Sequence, residues 1–335
     1  MRRCSTALLL MILAGAGFCG CREKTTRQID PGLDPAAADD LQPLADAPDL
    51  QRTRANLELV AKPRPPGSAQ WQAVQDLCAE RLGALGFTVE RQSFGSGADS
   101  GTNVIGRLSG QDLPAEEVLI SAHYDHLAGC PGADDNGSGL VGALEAARLL
   151  ARAPHRRTLI VACWDGEESG LRGSSAFATR AKAQGEQILA SFVFEMIGFK
   201  SDLPSSQQFP FGFALLFPEQ AKKLAENQNR GDFILLVSKA SSSAQAQAFQ
   251  ALAEQKLSLP TVHLVDNGLL GDLMRSDHAS FWTAGFPAIM ITDTANFRNP
   301  NYHCAAAPDR VEDLNLPFAL QVIQATASIA AKLLE

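Results

Sequence analysis

The sequence predicts an α/β protein of three layers, α/β/α, around a central mixed, mainly parallel sheet. Two apolar runs without polar alternation, LIVACW at 159–164 and AIMIT at 288–292, suit strands covered on both faces. Strand-like and helix-like segments alternate along the chain, which places helices on either side of one sheet. With 335 residues, 45% hydrophobic and 20% charged, the chain can bury a large core without a disulfide framework. A net charge of −8, with no block of Lys and Arg beyond the extreme N-terminus, leaves no electrostatic footprint for nucleic acid.

Taken in order, the first segment is an address. Arg2 and Arg3 precede the apolar run from Ala7 to Ala14, and small residues lead on to Cys19-Gly20-Cys21. Residues 1–20 therefore have the pattern of a signal peptide, with a run too short to span a bilayer comfortably. Gly20-Cys21 resembles the end of a bacterial lipoprotein signal. Lipidation at Cys21 and simple cleavage both remain open, and the expected destination is the periplasm or a membrane-anchored state. Residues 21–49, rich in Pro, Ala and Asp, form a linker, and 50–335 form one catalytic domain.

Within that domain Trp71, Val74, Cys78, Leu82 and Leu85 recur at helical spacing, and Gly86 stops the helix. Strands are predicted at 87–94, 103–108, 117–123, 158–164, 191–196, 233–237, 261–265 and 287–292. Helices are predicted at 138–152 and 171–183, with a closing helix over 315–334. In such sheets function collects just beyond the C-terminal ends of the parallel strands.

Those ends carry chemistry. The third strand ends in SAHYDH, where His123 and Asp125 are two apart and share one side, as a metal ligand and its support would. Taken alone, that pair is equally the pattern of a surface His and a solvated Asp. The loop PGADDNGSG at 131–139 reads as an Asp-Asn-Gly turn and helix cap, yet Gly137 and Gly139 let the backbone pass close to something bound. Glu167 and Glu168 follow LIVACW and would be ordinary surface charge without context. The context is Glu195 inside the apolar run SFVFEMIG, where an unpaired carboxylate is costly and a cation would neutralise it. NPNYH brings His303 to the same edge after the last strand.

SAHYDH, GADDNGSG, WDGEESGLRGS, FEMIGF, SDHASFWTAGFPAIMITDT and NPNYH, in this order, resemble the di-zinc exopeptidase family of secreted bacterial aminopeptidases. Its relatives include aminopeptidases S and Y, glutaminyl cyclases and glutamate carboxypeptidases. The resemblance implies two zinc ions bridged by Asp135, with His123 and Glu195 completing one site and Glu168 and His303 the other. It places Glu167 as general base, Asp125 as the carboxylate supporting His123, and Tyr302 beside the developing charge of the reaction. Asp277 and His278 match a cleft-lining pair. Glu195 departs from the Asp usual in the family, although a subset of bacterial members also reads EMIG.

The expected activity is removal of the N-terminal residue of peptides. Glutaminyl cyclisation and noncatalytic peptide binding by a surface lipoprotein are the alternatives. Ser138 and Ser169 lie in no nucleophile elbow, and Cys78 and Cys163 read as core residues. If the implied ligands converge, Cys130 and Cys304 become neighbours, and an exported chain could join them in a disulfide rather than leave two free thiols. The stretches 201–218 and 269–275 are candidates for the mouth of the substrate pocket.

Overall fold

The computed structural model describes residues 41–335, so the expected signal peptide, Cys21 and the linker up to residue 40 lie outside the described residues. The strands are β1 (Thr88–Phe94), β2 (Gly101–Leu108), β3 (Leu113–His123), β4 (Arg157–Trp164), β5 (Gln187–Glu195), β6 (Ile234–Ser238), β7 (Thr261–Val265) and β8 (Ala288–Thr292). They form one sheet in the order β1-β2-β4-β3-β5-β8-β6-β7. Its centre, β4-β3-β5-β8, is parallel, while β1, β2 and the β6-β7 pair join through antiparallel contacts. The mixed, mainly parallel sheet follows the expectation, and each expected strand is present within a few residues.

Alternation along the buried strands explains why their sequences look uniformly apolar. On β4, Leu159, Val161 and Cys163 join one core, while Ile160, Ala162 and Trp164 join the other. The first core packs against α1 (Leu50–Val60), α2 (Ala69–Ala84), α3 (Gly139–Leu150), α7 (Ser243–Lys256) and α9 (Leu316–Leu334). The second packs against α4 (Arg172–Gln184), α5 (Phe213–Leu216), α6 (Pro218–Glu226) and α8 (His278–Ala284). The helix α9 is long and apolar enough to cross a membrane by composition alone, but 72% of that window is buried inside the protein.

Helix ends are set by local chemistry. Ser68 and Asn315 accept from the backbone N–H groups of Trp71 and Phe318, capping α2 and α9. Asp49 caps α1 and donates its backbone N–H to Glu145 of α3. The described end of the Pro/Ala/Asp-rich stretch therefore lies on the domain. Leu44 donates its N–H to Ser328 Oγ, and the Gln324 amide donates to Leu44 O and Asp46 O.

The register delivers the site. His123 pairs with Trp164, so β3 and β4 end side by side. Ser121 pairs with Val193, so β3 and β5 both end two residues later, at His123 and Glu195.

Candidate metal centre

His123 and Glu195 are strand-end residues, and Glu167 and Glu168 occupy the turn just past β4. His123 Nε2 lies 3.4 Å from Glu195 Oε2, 3.5 Å from Asp135 Oδ1 and 4.0 Å from Glu167 Oε2. The second oxygen of Asp135 turns the other way, 3.2 Å from His303 Nε2, which is also 3.2 Å from Glu168 Oε2. One carboxylate thus faces two imidazoles with separate oxygens. Tyr302 stacks on the His303 ring, with centroids 3.8 Å apart. His123, Asp125, Asp135, Glu167, Glu168, Glu195, Tyr302 and His303 all meet at this end of the sheet.

The loop carrying Asp135 is held from three directions. Arg64, wholly buried, donates to the carbonyls of Val60, Tyr124, Pro131, Gly132 and Asp135. Burial pushes its guanidinium down to about 10, still charged at neutral pH, with Asp135, Asp125, Asp309 and Glu168 opposing the shift. Asp309 Oδ2 accepts the backbone N–H groups of Asp134 and Asp135 at 2.9 and 3.0 Å. Asn136 donates to Phe194 O and accepts from Met196 N, which fastens the loop to the end of β5. Only glycine fits at 139, because a Cβ there would overlap the Asn136 carboxamide.

Asp125 has two tasks. His123 Nδ1 faces its backbone oxygen at 3.2 Å and its Oδ1 at 3.5 Å, while its carboxylate accepts the backbone N–H groups of Glu167 and Glu168. A single side chain thereby fixes both an imidazole and the paired glutamates. Glu195 Oε2 accepts from Ser276 Oγ at 2.7 Å, so the longer side chain has a dedicated partner.

His126 is a further member of the centre. Its Nδ1 lies 2.8 Å from Glu168 Oε1, and its buried Nε2 has no hydrogen-bond partner. The third position after His123 was the available signal. Arg64, Asp309 and Ser276 had none, since each is a lone residue distant in sequence from what it holds. Of the pair expected in the cleft, His278 donates its Nε2–H to Leu273 O, and burial lowers it to about 4. Asp277 is fully buried with neither oxygen hydrogen-bonded, and burial raises it to about 7.

Electrostatics and orphaned atoms agree on a cation. The Nε2 atoms of His123 and His126 are buried without partners, an unfavourable state unless something binds there. Ligand atoms of His123, Glu167 and Glu195 lie within 4.8 Å of one another, and so do those of His126, Asp135 and Glu168. Imidazole nitrogens with carboxylate oxygens are a donor set suited to zinc, so the residues present fit that metal. Burial, with Glu195, Asp277 and Asp125 nearby, drives Glu167 well above the usual carboxylate range, partly offset by His123. Burial opposes charge on His303, but hydrogen bonds to Asp135 and Glu168 push it up to about 10. Burial raises Glu168 too, yet the hydrogen bonds from His126 and His303 prevail and hold it far below.

Cys130 and Cys304 form a disulfide with Cα atoms 5.7 Å apart, joining the loops that carry Asp135 and His303. Cys78 and Cys163 are free and buried, as core residues.

The three-layer α/β/α fold thus gathers acidic and imidazole groups suited to a metal at the C-terminal ends of its parallel strands, where sheets of this kind bind their ligands. Residues 103–330 match the model of peptidase family M28, and the chain belongs to that family. It is 29% identical over 238 residues to the Escherichia coli uncharacterized protein YfbL, covering 68% of this chain and 69% of that one. A probable leucine aminopeptidase of Trichophyton verrucosum is 30% identical, covering 65% of this chain and 54% of its own length. The chain thus spans only about half the length of the fungal relatives it matches. Among solved structures, the Legionella pneumophila LapA aminopeptidase superposes with a TM-score of 0.65 at 18% identity, covering 90% of this chain and 74% of that one. A Porphyromonas gingivalis glutaminyl cyclase has the same fold, with a TM-score of 0.59 at 18% identity, covering 85% of this chain and 99% of that one.

Two expectations follow for this scaffold. Arg64→Met would strip the donor from the backbone carbonyls around Asp135. It should lower stability by about 3–5 kcal/mol in urea unfolding and weaken zinc binding by about 10–100-fold in competition with a chelator. Replacing Cys130 and Cys304 together by Ser should cost about 2–4 kcal/mol, read as a lower urea midpoint that added reductant does not lower further.

Proposed function

We propose that the protein is a zinc-dependent aminopeptidase that removes the N-terminal residue of peptides, with Glu167 as general base. The observation that carries the reading is the Asp135 carboxylate, whose two oxygens address His123 on one side and His303 on the other. A bridging ligand needs that geometry, and it supports two metal positions. His123, Asp135 and Glu195 would hold one zinc, and Asp135, Glu168 and His303 the other, with His126 steadying Glu168.

Zinc, when bound, supplies a Lewis acid that polarises a carbonyl and lowers the pKa of water. The rest of the chemistry belongs to side chains. Glu167, close to His123 and with its side chain 12% exposed, accepts a proton from the attacking water and passes it to the departing amine. Its raised affinity for a proton suits that shuttle, and a neighbouring cation would favour the ionised carboxylate and draw the pKa back down towards the ordinary carboxylate range. Asp125 keeps the Glu167 backbone in place and fixes the His123 ring. Tyr302 stands beside His303 with its hydroxyl accepting from Arg275, and burial raises its pKa, so at neutral pH it keeps a proton to donate to charge developing on the carbonyl oxygen.

Export, with or without a lipid at Cys21, completes the proposal. It is supported by the charged and apolar pattern of residues 1–20 and by a disulfide of the kind that persists in oxidising compartments.

Glu167→Gln should retain zinc while kcat falls by about 10²-fold or more on an aminoacyl-anilide. Metal analysis should find two zinc ions per active chain, and near-normal turnover in the zinc-loaded variant would reject Glu167 as base. An assay on an N-terminal Gln peptide should show release of the residue rather than loss of ammonia by cyclisation. Mass spectrometry of the mature chain should place its N-terminus at Cys21, and an intact Met1 in the exported fraction would remove the signal-peptide reading.

A further inference from the structure

The bond between Cys130 and Cys304 joins two loops that are held unequally. Cys130 is buried, and the residues after it are fixed from several sides. Arg64 donates to the carbonyls of Pro131, Gly132 and Asp135, and Asp309 accepts the backbone N–H groups of Asp134 and Asp135. The turn carrying Cys304 has no comparable frame. Its hydrogen bonds are local, from Cys304 N to Asn301 O, Ala305 N to Tyr302 O and Ala306 N to Pro300 O, and residues 305–308 are exposed. Apart from the His303 imidazole, the bond to Cys130 is, among the described residues, the one hydrogen-bonded or covalent tie from positions 303–308 to anything outside 299–309.

That turn is also bent against its preference. His303 and Cys304 in succession take left-handed backbone angles, with φ of 53° and 58°, although neither is glycine. A side chain disfavours this region, so such residues stay there only where their surroundings over-determine them. The bend puts His303 Nε2 3.2 Å from Asp135 Oδ2 and 3.2 Å from Glu168 Oε2. Tyr302 stacks on the His303 ring but belongs to the same turn, and its outer anchor is the half-exposed Arg275. The other metal position owes nothing to this turn, since His123 and Glu195 are strand ends and Asp135 lies in the loop that Arg64 holds.

We propose that the disulfide is a redox control on one of the two zinc positions. It aims His303, with Cys304 as a positioning residue acting through that imidazole. Reduction releases zinc from Asp135, Glu168 and His303 while the position at His123, Asp135 and Glu195 stays filled. The inference rests on the two-metal aminopeptidase reading and adds its regulation. The reductant is a dithiol. One of its thiolates attacks the half-buried Cys304 Sγ, and Cys130 leaves as a thiolate and takes a proton. The second sulfur of the dithiol then displaces Cys304, whose thiolate accepts the Asp309 N–H, at 3.3 Å, until it too is protonated. Two electrons and two protons pass to the protein, and the dithiol ends as a disulfide. With the strut cut, the turn relaxes from its left-handed angles and the imidazole loses its aim. Loss of a group that positions a zinc ligand corresponds to about 10–100-fold in metal affinity. Linkage makes the effect reciprocal, so zinc at that position makes the bond about 10–100-fold harder to reduce, or about 30–60 mV more negative.

The test compares the whole chain oxidised and after reduction by a phosphine that is then removed, reading zinc per chain in competition with a chelator. The expected result is two ions on the oxidised chain, with the second held about 10–100-fold more weakly once the bond is open and the first unchanged. Cys130→Ser with Cys304→Ser should show the weakened state under either condition. His303→Ala should already hold one ion, and reduction should change its zinc affinity no further, the signature of a bond that acts through that imidazole. A glutathione titration should find the bond of the zinc-loaded chain about 10–100-fold more resistant than that of the apo chain. Two ions held equally well before and after reduction, or a further loss in His303→Ala, overturns the control and leaves the aminopeptidase intact. Loss of both ions together makes the bond a staple for the whole fold and also overturns the control. The one-ion shift in a chain that hydrolyses no aminoacyl-anilide when oxidised overturns the aminopeptidase reading and upholds the control. A single ion on the oxidised chain overturns the control and the two-metal reading together.

Discussion

Repulsion among carboxylates governs this structure. Asp135, Glu167, Glu168 and Glu195 converge with His123, His126 and His303 at the ends of three neighbouring strands. Oxygens of Glu167 and Glu195, and of Asp135 and Glu168, lie within 4.8 Å of each other, where like charges oppose each other by roughly 3–4 kcal/mol at an effective dielectric of 20. The fold must therefore hold the cluster together in advance of any cation. It does so with groups outside the cluster: the Arg64 guanidinium beneath the Asp135 loop, the Asp309 carboxylate on two backbone amides, and the Asp125 carboxylate on two more. Two of these three clamps are themselves acidic side chains that act by accepting from the backbone, so they orient the loops without belonging to the cluster.

The fold was legible because burial on both faces removes polar residues from a strand, leaving runs such as LIVACW that stand out against the helices. Helices α1 and α7 did not stand out. The first buries Thr53 and Asn56 beside Leu57 and Val60, and the second reaches the core mainly through alanines with Phe249 and Leu252, so neither has an evident apolar stripe. Similar logic applies to the site. Glu195 was conspicuous as a charge inside an apolar run, and His123 as the end of one. Arg64 sits in KPRPPGS, which reads as an exposed turn, and its burial depends on contacts to residues 60–71 positions further along, which no local pattern encodes.

The sheet also divides labour between its edges. The parallel centre positions the polar groups, because parallel neighbours end together and bring their last residues to one rim. Beyond it the antiparallel β8-β6 junction reverses the chain direction, so β6 and β7 bring their N-terminal beginnings, at Leu235 and Val262, level with the end of β8 at Thr292. Polar chemistry and apolar surface therefore lie side by side on one continuous set of hydrogen-bonded strands.

The covalent link between Cys130 and Cys304 encloses 174 positions of sequence, a span that includes β4 through β8. A protease that cut any exposed loop inside that ring would leave one molecule, its halves still tied at the rim where Asp135 and His303 face each other. Such a ring turns a severed backbone into a survivable injury.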